Sequence, residues 1–354
     1  MTEINKLFFK LVTIDSPSGE EDLMAGFLEN WLNKLGFFVK KDDIGNIYAA
    51  TGELPRFFLC AHMDTVGPGR GIKPSLRDGV VYSDGTTVLG ADNKAAICSM
   101  ILAINEYVDN YKKLPPVEIV FSVREETGGG VEFFNFDWLK SKRGAIFDFA
   151  KPLGKVVLAA PYIYNFYAKF TGKPAHSSRP EDGINSQVAA IRFLSNVKVG
   201  RFDDGETTIN IGKISSGSGI NTIPETTLVE GEVRSTNYEK FLMRLEEIKK
   251  LAQQSVENGL VKLDYSVDGY CPGYKLDKEG ELVTSIVDIL EEQGLLVDYV
   301  QSTGVSDANS FNGAGFKVVN LSDGVCDPHT KNESIALNDI QKLREIIYRM
   351  MEVW

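Results

Sequence analysis

Two apolar rhythms alternate along the N-terminal part of the chain. Thr2 to Ile14 and Glu20 to Leu35 repeat hydrophobic residues every three to four positions, the spacing of helices with one buried face. Ser18-x-x-Glu21 offers a capping box for the second. Short apolar runs follow at Phe37 to Val39, Ile47 to Ala50, Phe57 to Ala61 and Val117 to Val123. The last two are nearly continuous in apolar character, as strands buried on both faces are. Helical patterns at Asn93 to Tyr107 and Val131 to Lys140 alternate with these runs, and Ala145 to Phe149 reads as a further strand. Alternating strands and helices predict a three-layer α/β/α sandwich.

The pattern changes after Pro161. Tyr162 to Phe170 reads as a strand, Ile184 to Asn196 as a helix, Thr207 to Ile214 and Thr227 to Arg234 as strands, Tyr238 to Asn258 as a helix and Val261 to Val267 as a strand. This β-α-β-β-α-β order is that of a ferredoxin-like α+β unit. A third section holds helix Gly280 to Gln293, strands Leu295 to Val300 and Phe316 to Leu321, and a terminal helix from Leu337. If the third section completes the first, residues 1–160 and 272–354 form one discontinuous domain and residues 161–271 are an insertion.

Composition narrows the class. The 354 residues are 43% apolar and 25% charged, which is ordinary for a globular protein with ample core. Forty-nine acidic against 38 basic residues give a net charge of −11, which argues against nucleic acid or an anionic membrane as the main partner. No stretch approaches the ~18 apolar residues of a membrane span. Glu3, Lys6 and Lys10 interrupt any signal-like apolar core at the start. Cys60, Cys98, Cys271 and Cys326 form no CxxC pair, so reduced thiols and a cytoplasmic location are expected.

Metal-preferring side chains gather at the ends of the apolar runs. Phe57 to Ala61 runs into His62-Met63-Asp64, and residues two apart on extended chain face the same way. His62 can therefore bind metal while Asp64 takes its other N–H, although a satisfied core histidine beside a turn aspartate fits the pattern equally. Asp92, in Gly90-Ala91-Asp92-Asn93-Lys94, stands where a helix N-cap would stand, yet its two oxygens could bridge two ions. Glu125 and Glu126 adjoin at the end of a buried strand, ahead of three glycines. Like charges there raise each other's pKa unless cations compensate. Asp148 ends a strand, where ligands commonly gather in α/β sheets, and His329 follows the Phe316 to Leu321 strand. A workable division puts His62, Asp92 and Asp148 on one ion and Asp92, Glu126 and His329 on the other, with Glu125 as general base. Spacing alone does not fix this division.

The runs Ala61-His62-Met63-Asp64-Thr65-Val66, Gly90-Ala91-Asp92-Asn93-Lys94 and Glu125-Glu126-Thr127-Gly128 resemble the dizinc exopeptidases of the peptidase T-like, aminoacylase and glutamate carboxypeptidase kind. The likeness extends to Lys173-Pro174-Ala175-His176-Ser177, Asn221-Thr222-Ile223-Pro224 and Ser306-Asp307-Ala308-Asn309, and so covers essentially the whole chain. It is strongest toward the peptidase T-like branch. Only 30 positions separate His62 from Asp92, too few for the related aminopeptidases that carry an insertion there. The resemblance supports the division of ligands above and implies two zinc ions bridged by Asp92, with cobalt or manganese as alternatives. It implies that the inserted unit is a lid through which the chain forms a homodimer, and that His176 stabilises the oxyanion in the partner's site. Asn221 and Arg234 would contact the substrate, and Ser306, Asp307 and Asn309 would line its rim. Val305 replaces one glycine of the usual pair before this motif.

The implied activity is release of the N-terminal residue from short peptides. An N-acyl amino acid deacylase or a carboxypeptidase would use the same machinery. A zinc-binding protein without activity would have no need of Glu125. Gly217-Ser218-Gly219 lacks the third glycine of a nucleotide-binding turn.

Overall fold

Strand alternation decides which layer each side chain enters. The structure is a computed structural model and describes residues 2–354 except 53 and 258. All six residues of the strand Phe57–His62 are buried. Phe57, Leu59 and Ala61 join a core formed with helices Ala91–Tyr111 and Leu337–Val353. Phe58 points to the opposite layer, where its ring lies 4.8 Å from Phe311 and 5.9 Å from Phe316. Two buried faces explain why this run shows no polar alternation.

Two compact units divide the chain: Met1–Leu158 with Leu276–Trp354, and Ala159–Lys275. The first is the α/β sandwich. Its mixed sheet runs in the order Phe38–Lys41, Ile47–Ala50, Val117–Ser122, Phe57–His62, Arg143–Phe149, Lys317–Ser322, Lys155–Ala160. The four strands from Val117–Ser122 to Lys317–Ser322 are mutually parallel, so their carboxyl ends lie along one edge. A separate three-stranded sheet joins Ser75–Arg77, Val80–Tyr82 and Ser334–Ala336.

The second unit is the α+β insertion. Its antiparallel sheet runs Gly200–Phe202, Thr207–Ser216, Thr226–Ser235, Tyr162–Thr171, Lys262–Cys271. Phe166, Phe170, Val229 and Val233 bury one face against Phe193 and Phe241 of helices Ser186–Asn196 and Tyr238–Gln254. No helix among the described residues is long and apolar enough to cross a membrane.

Several expected elements differ. The Ser18/Glu21 capping box does not form: the helix Asp22–Leu35 begins without a side-chain cap. Ser18 Oγ donates instead to Asp64 Oδ2 at 2.7 Å, and Glu21 Oε1 accepts the backbone N–H groups of Gly19 and Arg124. Long-range partners outcompete the local cap. The Val131 to Lys140 helix is two single 3₁₀ turns, Val131–Phe133 and Phe136–Trp138. Phe134 between them is extended and buried, edge-on to Phe136 and Trp138, and Asn135 Oδ1 accepts from Asp137 N–H. The strand expected from Leu295 starts only at Asp298. Leu295 N–H donates back to Leu290 O past Gly294, which has positive φ, and so closes the preceding helix. The expected helix to Asn258 ends at Gln254, and Asn258 lies outside the described residues.

Candidate metal centre

Four parallel strands deliver the site. His62 is the last residue of its strand, Glu125 and Glu126 follow Val117–Ser122, Asp148 lies on Arg143–Phe149, and His329 follows Lys317–Ser322. Asp92 stands at the head of the Ala91–Tyr111 helix, where it and Asn93 are not helical.

His62 is buried with its two nitrogens in different company. Nδ1 lies 3.1 Å from the backbone oxygen of Asp64 and 3.3 Å from Asp64 Oδ1. Nε2 lies 3.1 Å from Asp92 Oδ1 and 3.8 Å from Asp148 Oδ1. Two acceptors at Nδ1 favour the proton there, which leaves the Nε2 lone pair for a cation. His329 Nε2 lies 3.4 Å from Asp92 Oδ2 and 2.9 Å from Glu126 Oε1. Asp92 thus turns one oxygen toward each histidine.

These atoms form the sets His62–Asp92–Asp148 and Asp92–Glu126–His329, each within 4.8 Å. A third set, His62–Glu125–Glu126, puts Glu125 beside the same centre. Donor atoms of one tetrahedral zinc, at bonds of 2.0–2.2 Å, sit roughly 3.3 Å apart. The separations of 2.9 to 3.8 Å match that spacing.

Electrostatics also call for cations. Burial pushes Glu125 and Asp148 well above the usual carboxylate range, and the acids around them add to the effect. Burial would raise Asp92 as well, but His329 and His62 hold it well below that range. Hydrogen bonding to Asp92 and Glu126 lifts His329 to about 10. A buried cluster of acids gathered around two imidazoles fits divalent ions of the zinc kind.

Residues 162–259 match the family described as a peptidase dimerisation domain. YqjE of Bacillus subtilis (strain 168) is 30% identical over 358 residues, spanning 98% of this chain and 96% of its own. A tripeptidase structure from Staphylococcus aureus superposes with a TM-score of 0.91 at 29% identity, over 99% of this chain and 97% of the other. The aminopeptidase PepT structure from Bacillus cereus gives a TM-score of 0.90 at 31% identity, again over 99% and 97%. The chain belongs to the peptidase T-like M20 metallopeptidases.

In this M20 peptidase the side chains around the candidate ligands form a tight frame. Asp64 is fully buried and accepts from Ser18 Oγ at 2.7 Å, Glu125 N–H at 3.0 Å and Glu126 N–H at 3.2 Å. Asn320 clamps Asp148, accepting its N–H at 3.0 Å and donating to its carbonyl at 2.9 Å. Neither Ser18 nor Asn320 stood out in the sequence. Ser18 looked like a cap, and a strand asparagine carries no signal of its own.

The remaining predicted residues lie as follows. Ser306 and Asn309 form a reciprocal capping box on the helix Asp307–Gly313, and Ser306 Oγ accepts from Asn320 Nδ2 at 3.1 Å. Asp307 is buried against Ser122 Oγ and Cys60 Sγ, and burial pushes its carboxyl up to about 6. His176, Asn221 and Arg234 belong to the second unit. The strand Ala175–His176 pairs with Thr222–Ile223, and Ser177 N–H donates to Asn221 O at 3.0 Å. His176 is exposed, and its Nδ1 accepts Ser178 N–H at 3.2 Å, which leaves the Nε2–H free to donate outward. Arg234 presents its fork to Glu232 at 2.6 and 2.8 Å.

Proposed function

We propose that this M20 peptidase is a dizinc aminopeptidase that removes the N-terminal residue from short peptides, tripeptides above all. The observation that carries the reading is the carboxylate of Asp92, shared between His62 and His329 at 3.1 and 3.4 Å. His62, Asp92 and Asp148 would hold one ion and Asp92, Glu126 and His329 the other. Such a pair of ions would supply a water of lowered pKa and a Lewis acid for the scissile carbonyl.

Glu125 supplies the base. It sits beside His62 and Glu126 at the same centre, placed to accept the attacking water's proton and return it to the leaving amine. Asp64 fixes both ends of this arrangement by holding the His62 ring and the backbone of Glu125. The outward Nε2–H of His176 suits an oxyanion, with the partner subunit's site as its place of action. The match to a peptidase dimerisation domain supports a homodimer through the inserted unit. Four cysteines without a disulfide among them are consistent with a cytoplasmic enzyme.

Turnover of unblocked tripeptides before and after chelation tests the reading. Activity should vanish on chelation, return with zinc or cobalt, and release the N-terminal residue. A marked preference for N-acetylated substrates would move the assignment to a deacylase.

A further inference from the structure

One buried carboxylate outside the candidate ligands binds their two loops together. Glu333 is 1% exposed and lies four residues beyond His329. Its Oε2 accepts the backbone N–H groups of Leu89 and Gly90, each at 2.8 Å. Its Oε1 accepts Asp92 N–H at 3.0 Å. Helix starts leave such N–H groups without backbone partners, and here a single distant side chain takes those of Gly90 and Asp92 together with that of Leu89 before them.

The His329 end of this link is equally constrained. Cys326 and Ser334 exchange two backbone hydrogen bonds at 2.9 and 3.0 Å, and Glu333 N–H donates to Thr330 O at 3.1 Å. His329 itself holds φ +60, an uncommon backbone conformation for a residue other than glycine. The loop carrying His329 is therefore closed on itself, and Glu333 fastens it to the turn carrying Asp92.

We propose that Glu333 is a positioning residue that sets the separation of Asp92 and His329, and so the affinity of the ion they share with Glu126. The inference rests on the dinuclear reading above. Glutamine at this position keeps the shape, and its single oxygen satisfies the most donors on the Leu89 and Gly90 pair, which turns its NH₂ toward Asp92 N–H. Asp92 then loses its anchor while the side chains that touch the ion remain. Changes to groups that orient ligands typically weaken metal binding roughly 10- to 100-fold.

The test is a Co²⁺ titration of the metal-free full-length protein, read by visible absorbance and by competition with a chelator. The wild type should take two equivalents. Glu333→Gln should bind at least one of them 10- to 100-fold more weakly, with kcat on a tripeptide recovered at saturating Co²⁺ and KM unchanged. A merely structural role would lower the unfolding midpoint of the metal-free protein without this recovery. Wild-type affinity for both ions in Glu333→Gln would overturn the proposal, and so would a kcat deficit that persists when both ions are loaded. If Glu333→Gln does not fold, Glu333→Asp keeps the charge on a shorter arm, and unchanged affinity there would also overturn it. A wild type that takes fewer than two equivalents would fail before any variant is made, and would remove the dinuclear reading along with the inference.

Discussion

The carboxylate of Asp64 accepts the backbone N–H of Glu125 at 3.0 Å across 61 positions of sequence. The same carboxylate faces His62 Nδ1 at 3.3 Å. A residue two positions from a candidate ligand therefore also aims the proposed base. Asp64→Asn should cost roughly 10- to 100-fold in metal affinity or activity, because an amide must offer N–H₂ to at least one donor. Equilibrium metal binding and steady-state kinetics on one tripeptide would check it, and a variant equal to wild type in both would count against the role.

Glu125→Gln removes the base but none of the proposed ligands. Its metal content should stay at the wild-type level while kcat falls roughly 10²- to 10⁴-fold. If His176 works in the partner's site, mixing Glu125→Gln with His176→Ala subunits should recover part of the activity in hybrid dimers. No recovery after demonstrated subunit exchange would argue that each subunit uses its own histidine.

Burial raises Asp307 from 3.8 to about 6. A carboxyl raised on folding binds more protons in the native state than in the unfolded one, so its contribution to stability falls as pH rises between those values. Its penalty is absent below about pH 4 and complete above about pH 6. Asp307→Asn should flatten that part of the stability profile in metal-free protein. Denaturant unfolding at pH 5 and pH 7 reads the slope, and identical slopes in the two proteins would contradict the expectation.

Gly144 faces the ring of Phe58 so closely that an added Cβ would lie 2.7 Å from Cζ. The ring is held in turn by Phe311 and Phe316 and has little room to retreat. Gly144→Ala should destabilise the fold by about 1–3 kcal/mol without altering the ligand distances. A lowered unfolding midpoint with unchanged metal stoichiometry is the expected pair of results.

The chain's own pattern was enough for the layers. Continuous apolar runs such as Phe57 to Ala61 read as central strands, and the β-α-β-β-α-β order after Pro161 reads as a separate unit. It also offered His62, Asp92, Glu125, Glu126, Asp148 and His329 as candidates taken together, although Asp92 alone reads as a helix cap and Asp148 as a turn residue. Local signals failed where a distant partner won. Ser18 left its cap for Asp64, and Phe134 broke a helical pattern to bury its ring among aromatics. The pairing of Asp92 with both histidines, the clamp of Asn320 on Asp148 and the grip of Glu333 on the Asp92 turn all join residues far apart in sequence. Sequence carries the donors and acceptors, but a hydrogen bond or a ligand set depends on distances of about 3 Å, and only the folded chain decides which groups come that close.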